Sequence, residues 1–304
     1  MTISKKARRN KIGENFNDKV FNSINFLFAS IFLVAVLYPL IYVVSASFSD
    51  PVSIIQGRVR FLPVGPNLDG YRAVFNHGQI VTGFMNSVYY MVAGTVFNIA
   101  LTILVAYPIS RKDFIDRSLF TKLFAFTMLF SGGMIPTFLL INNLGMIDTR
   151  WAMIIPGGYS VFNIIVMRTF FISTIPDEML ESARIDGCSD FTFLRRIVLP
   201  LSGPILAVMV LLYALGHWNA FFSALLYLRS RDLFPLQMVL RDILLLNQLD
   251  EGMMDDILDA ERRRHMSALL RYSLIVVASL PFMLMYPLVQ RFFVKGMLLG
   301  AVKG

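Results

Sequence analysis

The ionisable residues best placed to do chemistry lie in one polar segment, 175–200, between two apolar stretches. Three of its carboxylates, Asp177, Glu178 and Glu181, fall in the first turns of a predicted helix, where the helix dipole favours negative charge. They follow one another along one helix and do not face each other across a cleft, as a catalytic acid and base would. The segment therefore gives no indication of a catalytic pair.

The same segment predicts a helix–turn–helix. Thr174 and Asp177 have the spacing of a capping box, with Pro176 in the first turn of a helix of about 12 residues. Gly187 can end that helix in a left-handed conformation, and Ser189 can cap a second short helix that Pro200 closes. Judged alone, this hairpin is as consistent with an ordinary surface turn between two core helices as with a functional site.

Other kinds of site are absent from the sequence. The three histidines are scattered without metal-ligand spacing, and Cys188 is the single cysteine, so no intrachain disulfide forms. No G-x-x-x-x-G-K-[ST] loop is present, so we expect no ATP site of the P-loop type. His217 lies in an apolar run, where a histidine is most often a hydrogen-bonded packing residue. We therefore expect any energy for work to come from another chain.

The composition indicates a membrane protein. Hydrophobic residues make up 56% of the chain and charged residues 16%, against about 45–50% and about 25% in soluble domains. The net charge is +8, with basic residues beside apolar runs, which suits the anionic cytoplasmic leaflet. Nucleic-acid binding is disfavoured because no basic helix or aromatic–basic sheet pattern is present.

Apolar stretches predict an all-α polytopic membrane protein with six transmembrane helices. We expect them at about 22–47, 82–108, 121–143, 151–171, 201–227 and 272–293. Ser131-Gly132-Gly133 and Pro136 are expected to loosen or kink the third. A signal peptide is the alternative for the first span, but its apolar core of 19 residues, 26–44, exceeds the 7–15 of a signal sequence. We therefore expect an uncleaved anchor.

The distribution of Lys and Arg predicts the orientation. With a basic cytoplasmic tail at 1–19, the cytoplasmic segments hold 17 Lys and Arg and the external segments 11. The positive-inside rule then places both termini and the loop 173–200 in the cytoplasm, with the loop 229–271 outside. The uncharged core of each span lacks Asp, Glu, Lys and Arg, which disfavours ion-coupled transport. We expect 20–304 to form one transmembrane domain.

A fixed spacing links Glu181-Ser182-Ala183, Gly187 and the run Ile197-Val198-Leu199-Pro200. This spacing resembles the E-A-A-x3-G-x9-I-x-L-P signature of ABC importer permeases, with Ser182 in place of the first alanine. The chain is also similar to the carbohydrate-uptake (maltose-type) branch over about residues 20–304. The similar segments are Asn86-Ser87, 106–111, Ile175-Pro176-x-Glu178, Trp218-Asn219, 234–237, 290–296 and Val302-Lys303-Gly304.

This resemblance implies a type I ABC importer permease in a bacterial plasma membrane, with the loop 173–200 as its coupling helix. It implies a homologous partner permease, two copies of a cytoplasmic ATPase that binds ATP and Mg, and an extracellular solute-binding protein. This chain itself would be no enzyme and hold no cofactor. The residues expected to contact the ATPase are Glu178, Glu181, Ser182, Ala183, Asp186 and Gly187.

Amides and aromatic rings within the spans suit a neutral polyhydroxy solute, although such groups also bond between helices. The pathway candidates are Asn86, Tyr90, Asn163, Trp218 and Asn219. The long outer loop resembles that of permeases for complex or uronate-containing oligosaccharides, and within it 255–264 is expected to form an exposed charged helix. Two alternatives remain open: a permease for an amino acid or peptide, and a membrane glycosyltransferase that uses Glu181 and Asp186.

Overall fold

The computed structural model describes residues 16–249, 265, 268, 270–287 and 290. The helix predicted at 255–264 and most of the basic tail 1–19 lie outside these residues. The described residues form helices and no strand. In chain order the helices are α1 (Phe16–Ser47), α2 (Pro51–Ile55), α3 (Asp69–Asn76), α4 (Gly78–Ser110), α5 (Arg117–Leu129), α6 (Met134–Asn143), α7 (Trp151–Ile154), α8 (Val161–Thr174), α9 (Asp177–Ile185), α10 (Asp190–Phe193), α11 (Leu199–Leu201), α12 (Gly203–Trp218), α13 (Phe221–Tyr227), α14 (Leu236–Leu249) and α15 (Leu270–Pro287).

Helix α4 is the central element. Its 33 residues span about 50 Å at 1.5 Å per residue, and it packs against α8, α12 and α14. Close packing requires glycine at Gly94, since a Cβ there would overlap the imidazole ring of His217 on α12. Small and polar residues buried along α4 let these helices approach and give them hydrogen-bonding groups.

Within the described ranges, three helices are long and apolar enough to cross a membrane, namely α1, α4 and α15. The stretch predicted as the third span is two helices, α5 and α6, bent by 109° at the break that contains Ser131-Gly132-Gly133. The stretch predicted as the fourth is also interrupted, because α7 ends at Ile154 and α8 begins at Val161. Both interruptions bear on function, since irregular backbone at membrane depth needs protein or water around it.

Much apolar surface faces outward. No residue of α5 is buried, and the buried residues of α1 lie only in its last turn. A surface of this kind is stable only against lipid or another protein. It is the surface expected of a chain that sits in a bilayer beside further subunits.

The loop expected at 229–271 is not polar throughout. Its first part carries α14, whose Leu236 is fully buried and whose Met238 and Val239 are nearly so. The backbone N–H of Leu236 donates to Ser87 Oγ on α4 at 2.8 Å. The apolar positions of 236–239 thus attach the beginning of this loop to the central helix.

Candidate functional site

Helix α9 begins later than the sequence predicted and is shorter. Its N-cap is Pro176, which makes no side-chain capping bond, and its nine residues run from Asp177 to Ile185. The predicted capping box is wrong, because Thr174 is the last residue of α8. Ile175 and Pro176 are extended instead. The two residues redirect the chain between α8 and α9.

The turn after α9 forms as predicted. Gly187 has φ +76°, and its N–H donates to Arg184 O at 3.0 Å, while that of Cys188 donates to Ala183 O at 2.9 Å. Ser189 caps α10 by accepting from the Thr192 N–H at 3.3 Å. These bonds satisfy carbonyls at one helix end and an N–H at the other. They fix the angle between the two arms of the hairpin.

The second arm does not end at Pro200. A π-helical turn, Leu194–Val198, follows α10 and leads into α11, which ends at Leu201. Pro200 lies in the first turn of α11, where a missing N–H costs little. The bend therefore comes at Ser202, where the path into α12 turns by 81°. We call residues 177–201 the coupling hairpin.

One face of α9 packs on the permease core and the other is exposed. Leu180 and Ala183 are buried among Ile175, Phe193 and Val198. Ala183 was expected to contact the ATPase, but in the structure it is buried on the face of α9 that packs on the permease core. The other five expected contact residues are exposed, namely Glu178, Glu181, Ser182, Asp186 and Gly187.

Two apolar residues of this exposed face were missed in the sequence. Ile185 is 86% exposed and Phe191 is 70% exposed, one on each side of the Gly187 turn. Large apolar side chains placed singly on a surface are common, but two flanking one tight turn suit a contact with another protein. A break in the apolar periodicity of α9 at Ile185 could have indicated this.

Ion pairs tie the hairpin to the end of α4. Asp177 pairs with Arg111 at 3.1 Å and with Lys112 at 2.7 Å. Arg184 pairs with Asp113 at 2.5 Å and with Asp190 at 3.1 Å. Because Arg111 follows directly on α4, these pairs connect α9 to the central helix, and the Arg184–Asp190 pair joins α9 to α10. We call them the ionic clamp.

Two members of the clamp, Asp113 and Lys112, have pKa values shifted in the direction that favours their charged forms. Burial alone would raise the pKa of Asp113, but the Arg184 hydrogen bond and charge outweigh it and lower that pKa below its usual 3.8. The hydrogen bond to Asp177 raises the pKa of Lys112 above its usual 10.5. The stability that charged Asp113 contributes to the folded permease is present above pH 3.8 and is lost as pH falls through the lowered pKa. The stability that charged Lys112 contributes is present below pH 10.5 and is lost as pH rises through the raised pKa.

Four of the five predicted pathway residues make structural contacts. Asn86 Nδ2 donates to Asp232 O at 2.7 Å and to Phe234 O at 3.1 Å. Tyr90 Oη donates to Leu233 O at 2.8 Å. Asn86 and Tyr90 thus hold the loop before α14 on α4.

Trp218 Nε1 donates to Ala278 O on α15 at 3.1 Å. Asn219 bonds Leu215 O of its own helix and is exposed. The fifth residue, Asn163, lines a cavity.

This cavity has a volume of about 350 Å³ and lies between α4, α8 and α12. Its lining includes Asn98 and Tyr213, which were not among the pathway candidates, and His217, which was expected to be a bonded packing residue. His217 Nε2 has no hydrogen-bond partner among the described residues. The lining residues are Asn98, Ala152, Met153, Pro156, Gly157, Tyr159, Ser160, Asn163, Leu212, Tyr213, Gly216, His217, Ala220 and Ser223.

A joint between two loops lies at the other end of the molecule from the hairpin. Asp148, at φ +61°, accepts from the N–H groups of Arg229 and Ser230 at 2.8 Å each and from Ser230 Oγ at 2.5 Å. The Ser230 hydroxyl bond, with the two N–H bonds, lowers the pKa of Asp148 below 3.8. The joint is therefore held above pH 3.8 and is lost as pH falls through the lowered pKa.

Replacing Asp148 by glycine is expected to open this joint, because glycine tolerates the positive φ but removes the acceptors. Trypsin cleavage after the exposed Arg229 and Arg231 should become about tenfold faster. Asp148→Asn keeps an acceptor oxygen and is the matched control. Equal cleavage of wild type and Asp148→Gly at pH 7 would show that the joint does not restrain this loop.

Residues 14–299 match the family described as binding-protein-dependent transport system inner membrane component. The chain belongs to this family. The described helices form the all-α permease fold of type I importers, and the permease is a transmembrane subunit of an ABC importer.

Its relatives include sugar transport permeases. The permease is 38% identical to the polygalacturonan/rhamnogalacturonan transport system permease protein YtcP of Bacillus subtilis (strain 168), over 94% of this chain and 99% of the relative. It is 30% identical to the arabinooligosaccharides transport system permease protein AraQ of Halalkalibacterium halodurans, over 91% and 94%.

A solved structure also matches. It is a chain of a bacterial ABC transporter involved in the import of the acidic polysaccharide alginate. The TM-score is 0.83 and the identity 33%, over 92% of this chain and 98% of that chain.

Proposed function

We propose that this permease forms half of the translocation pathway of an importer for uronate-containing oligosaccharides. Two similar proteins support this substrate class, because both are named for acidic polysaccharides. One is the polygalacturonan/rhamnogalacturonan permease and the other belongs to an alginate importer. Both cover more than nine tenths of this chain.

The energy for transport enters through the coupling hairpin. Its exposed tip carries Ile185 and Phe191 beside Glu178 and Glu181, a mixture of apolar and acidic groups that fits a groove with basic or donor rims on a separate ATPase. Two copies of that ATPase bind ATP and Mg, and this chain holds neither. The partner permease is a homologous, different chain, and both termini of this permease are cytoplasmic.

The ionic clamp transfers movement of the hairpin to α4. Asp177 and Arg184 belong to α9, while Arg111, Lys112 and Asp113 follow α4. A displacement of α9 by the ATPase therefore acts on the helix that packs against α8, α12 and α14. An extracellular binding protein delivers the saccharide to the opposite side.

Reconstitution of the complex in proteoliposomes tests the proposed function. The solute-binding protein loaded with trigalacturonate should stimulate ATP hydrolysis and uptake, whereas maltotriose should do so weakly. Stimulation by maltotriose alone would overturn the acidic substrate class. Stimulation by amino acids or peptides alone would point to the other permease alternative, and saccharide transfer to lipid without the ATPase would point to an enzyme.

Replacing Glu181 by lysine is expected to lower saccharide uptake by at least about tenfold while the protein remains in the membrane. The side chain is exposed, so the fold tolerates the change, but the reversed charge meets a rim suited to a carboxylate, and like charges in contact cost several kcal/mol. Uptake and membrane content are measured together. Asp69→Lys reverses an exposed charge at the start of α3, in a segment outside the hairpin, and should leave uptake unchanged. Normal uptake by Glu181→Lys would contradict the assigned docking face.

A further inference from the structure

The break between α7 and α8 lies at membrane depth. Helix α8 runs from Val161 to Thr174, so Val161 is about 20 Å from the hairpin end at 1.5 Å per residue. The hydrocarbon core of a bilayer is about 30 Å thick. Non-helical backbone within that core is tolerated only where protein covers it or where it lines a watery cavity. Four residues of this break meet this condition because they line the cavity, namely Pro156, Gly157, Tyr159 and Ser160.

Polar side chains from three helices reach this cavity at similar depth. Asn98 on α4 is about 18 Å from the hairpin end of its helix, Asn163 on α8 about 17 Å, and His217 on α12 about 21 Å. All three are more than nine tenths buried. The cavity therefore has a polar floor near the middle of the membrane.

The side-chain amides of Asn98 and Asn163 have hydrogen-bonding groups that no described residue uses. Asn98 Nδ2 donates to Gly157 O at 2.9 Å, but its buried Oδ1 has no partner among the described residues. The Asn163 side-chain amide makes no hydrogen bond within the described part of the chain, where only its backbone N–H bonds Ser160 Oγ. A buried polar group without a partner is costly, so Asn98 Oδ1 requires a ligand or water.

The opening of the cavity is wide and partly aromatic. Tyr159 is 60% exposed and Leu212 is 40% exposed at its edge, and a Cβ at Gly216 would meet no atom within 4 Å. The volume of about 350 Å³ is within the range of small-molecule sites. The opening therefore admits a solute, and the Tyr159 ring can pack against an apolar surface of that solute.

Among the described residues, no Asp, Glu, Lys or Arg lines the cavity. Neutral amides, hydroxyls and an imidazole donate to and accept from hydroxyl groups, whereas a buried carboxylate would require a positive partner. The chemistry of the lining therefore matches the hydroxyl-bearing part of a sugar ring and not its carboxylate.

We infer that this cavity is a saccharide subsite, in which Asn98 and Asn163 bind hydroxyl groups of one sugar ring and Tyr159 packs against the ring face. The inference rests on the proposed function as an oligosaccharide permease. It adds that this chain contacts the solute directly at the broken fourth span. The carboxylate of a uronate is bound outside the cavity.

The test uses the complete complex in proteoliposomes with trigalacturonate-loaded binding protein. Asn163→Leu, of similar size but without the amide, should lower uptake about tenfold and leave the melting temperature unchanged. Asn142→Leu, the same change at an exposed position at the end of α6, should transport as wild type does. Normal uptake by Asn163→Leu would show that the cavity holds water only.

A second pair of variants fills the mouth without touching the floor. Gly216→Phe should block uptake, whereas Gly216→Ala should retain it, because only the larger side chain occupies the opening. Equal uptake by the two would overturn the subsite.

A chemical readout separates binding from structure. In a Cys188→Ser background, Asn163→Cys should react with a maleimide, and saccharide in the vanadate-trapped complex should slow the reaction about tenfold. Unchanged labelling would also overturn the subsite. If wild type responds to no saccharide at all, the proposed function fails, whereas a responsive wild type with normal variants leaves that function intact and removes only the subsite.

Discussion

Replacing Gly187 by proline is expected to abolish saccharide uptake, with the permease still present in the membrane. Proline holds φ near −65°, whereas Gly187 has φ +76°. It also removes the N–H that donates to Arg184 O at 3.0 Å. The angle between the arms of the coupling hairpin would change, and Ile185 and Phe191 would no longer face one groove together. Uptake and ATPase stimulation in proteoliposomes measure the effect.

Two milder substitutions at Gly187 distinguish the effect of backbone conformation from the effect of steric crowding around the turn. A Cβ at Gly187 would meet nothing within 4 Å, so Gly187→Ala suffers only the left-handed strain of about 1–2 kcal/mol. Gly187→Asn should suffer less, because asparagine tolerates this conformation. The expected order of uptake is wild type, Asn, Ala, Pro. Full uptake by Gly187→Pro would show that the turn is not part of the coupling contact.

Replacing Asp177 by alanine is expected to uncouple ATP hydrolysis from uptake and to destabilise the cytoplasmic side of the permease. Arg111 would keep its buried position, with a 9% exposed side chain, and lose its carboxylate partner. Removing one member of a buried pair costs about 3–5 kcal/mol, and the 29% exposure of Asp177 reduces this to about 1–3 kcal/mol. Melting temperature in detergent and uptake per ATP hydrolysed are the measurements.

A double variant provides the control for this prediction. Arg111→Leu combined with Asp177→Ala removes the unpaired charge, so stability should recover while uptake per ATP remains low. Arg72→Leu removes an arginine from an exposed pair at 3.5 Å and should change neither quantity. If Asp177→Ala transports at the wild-type ratio, the clamp is a surface feature without a part in coupling.

Local patterns predicted the coupling hairpin in part. Gly187 adopts the left-handed conformation and Ser189 caps the next helix, as their residue types indicate. The capping box at Thr174 was wrong because the extended pair Ile175-Pro176 ends α8 before α9 begins. The predicted stop at Pro200 was wrong because a π-helical turn places that proline in a first turn. Capping rules describe single helix ends, and here two helix ends lie within three residues.

Pathway residues were harder to predict than the hairpin. Asn86, Tyr90 and Trp218 are polar groups in apolar runs, and the sequence could not distinguish a solute contact from a bond between helices. Their partners, Asp232, Leu233 and Ala278, lie far along the chain. Asn98 and His217 were not selected because nothing in their own neighbourhood differs from ordinary packing positions.

The sequence by itself determined that this is an apolar helical permease and where its coupling signature lies, because composition, hydropathy and fixed local spacing need no partner residue. Only the tertiary structure decided which way each side chain of that signature faces. It turned Ala183 into the core, left Ile185 and Phe191 outside, and joined Asp177 to Arg111. It also brought Asn98, Asn163 and His217 from three helices around one cavity. Such contacts depend on how the helices pack against one another, and short-range patterns do not contain that information.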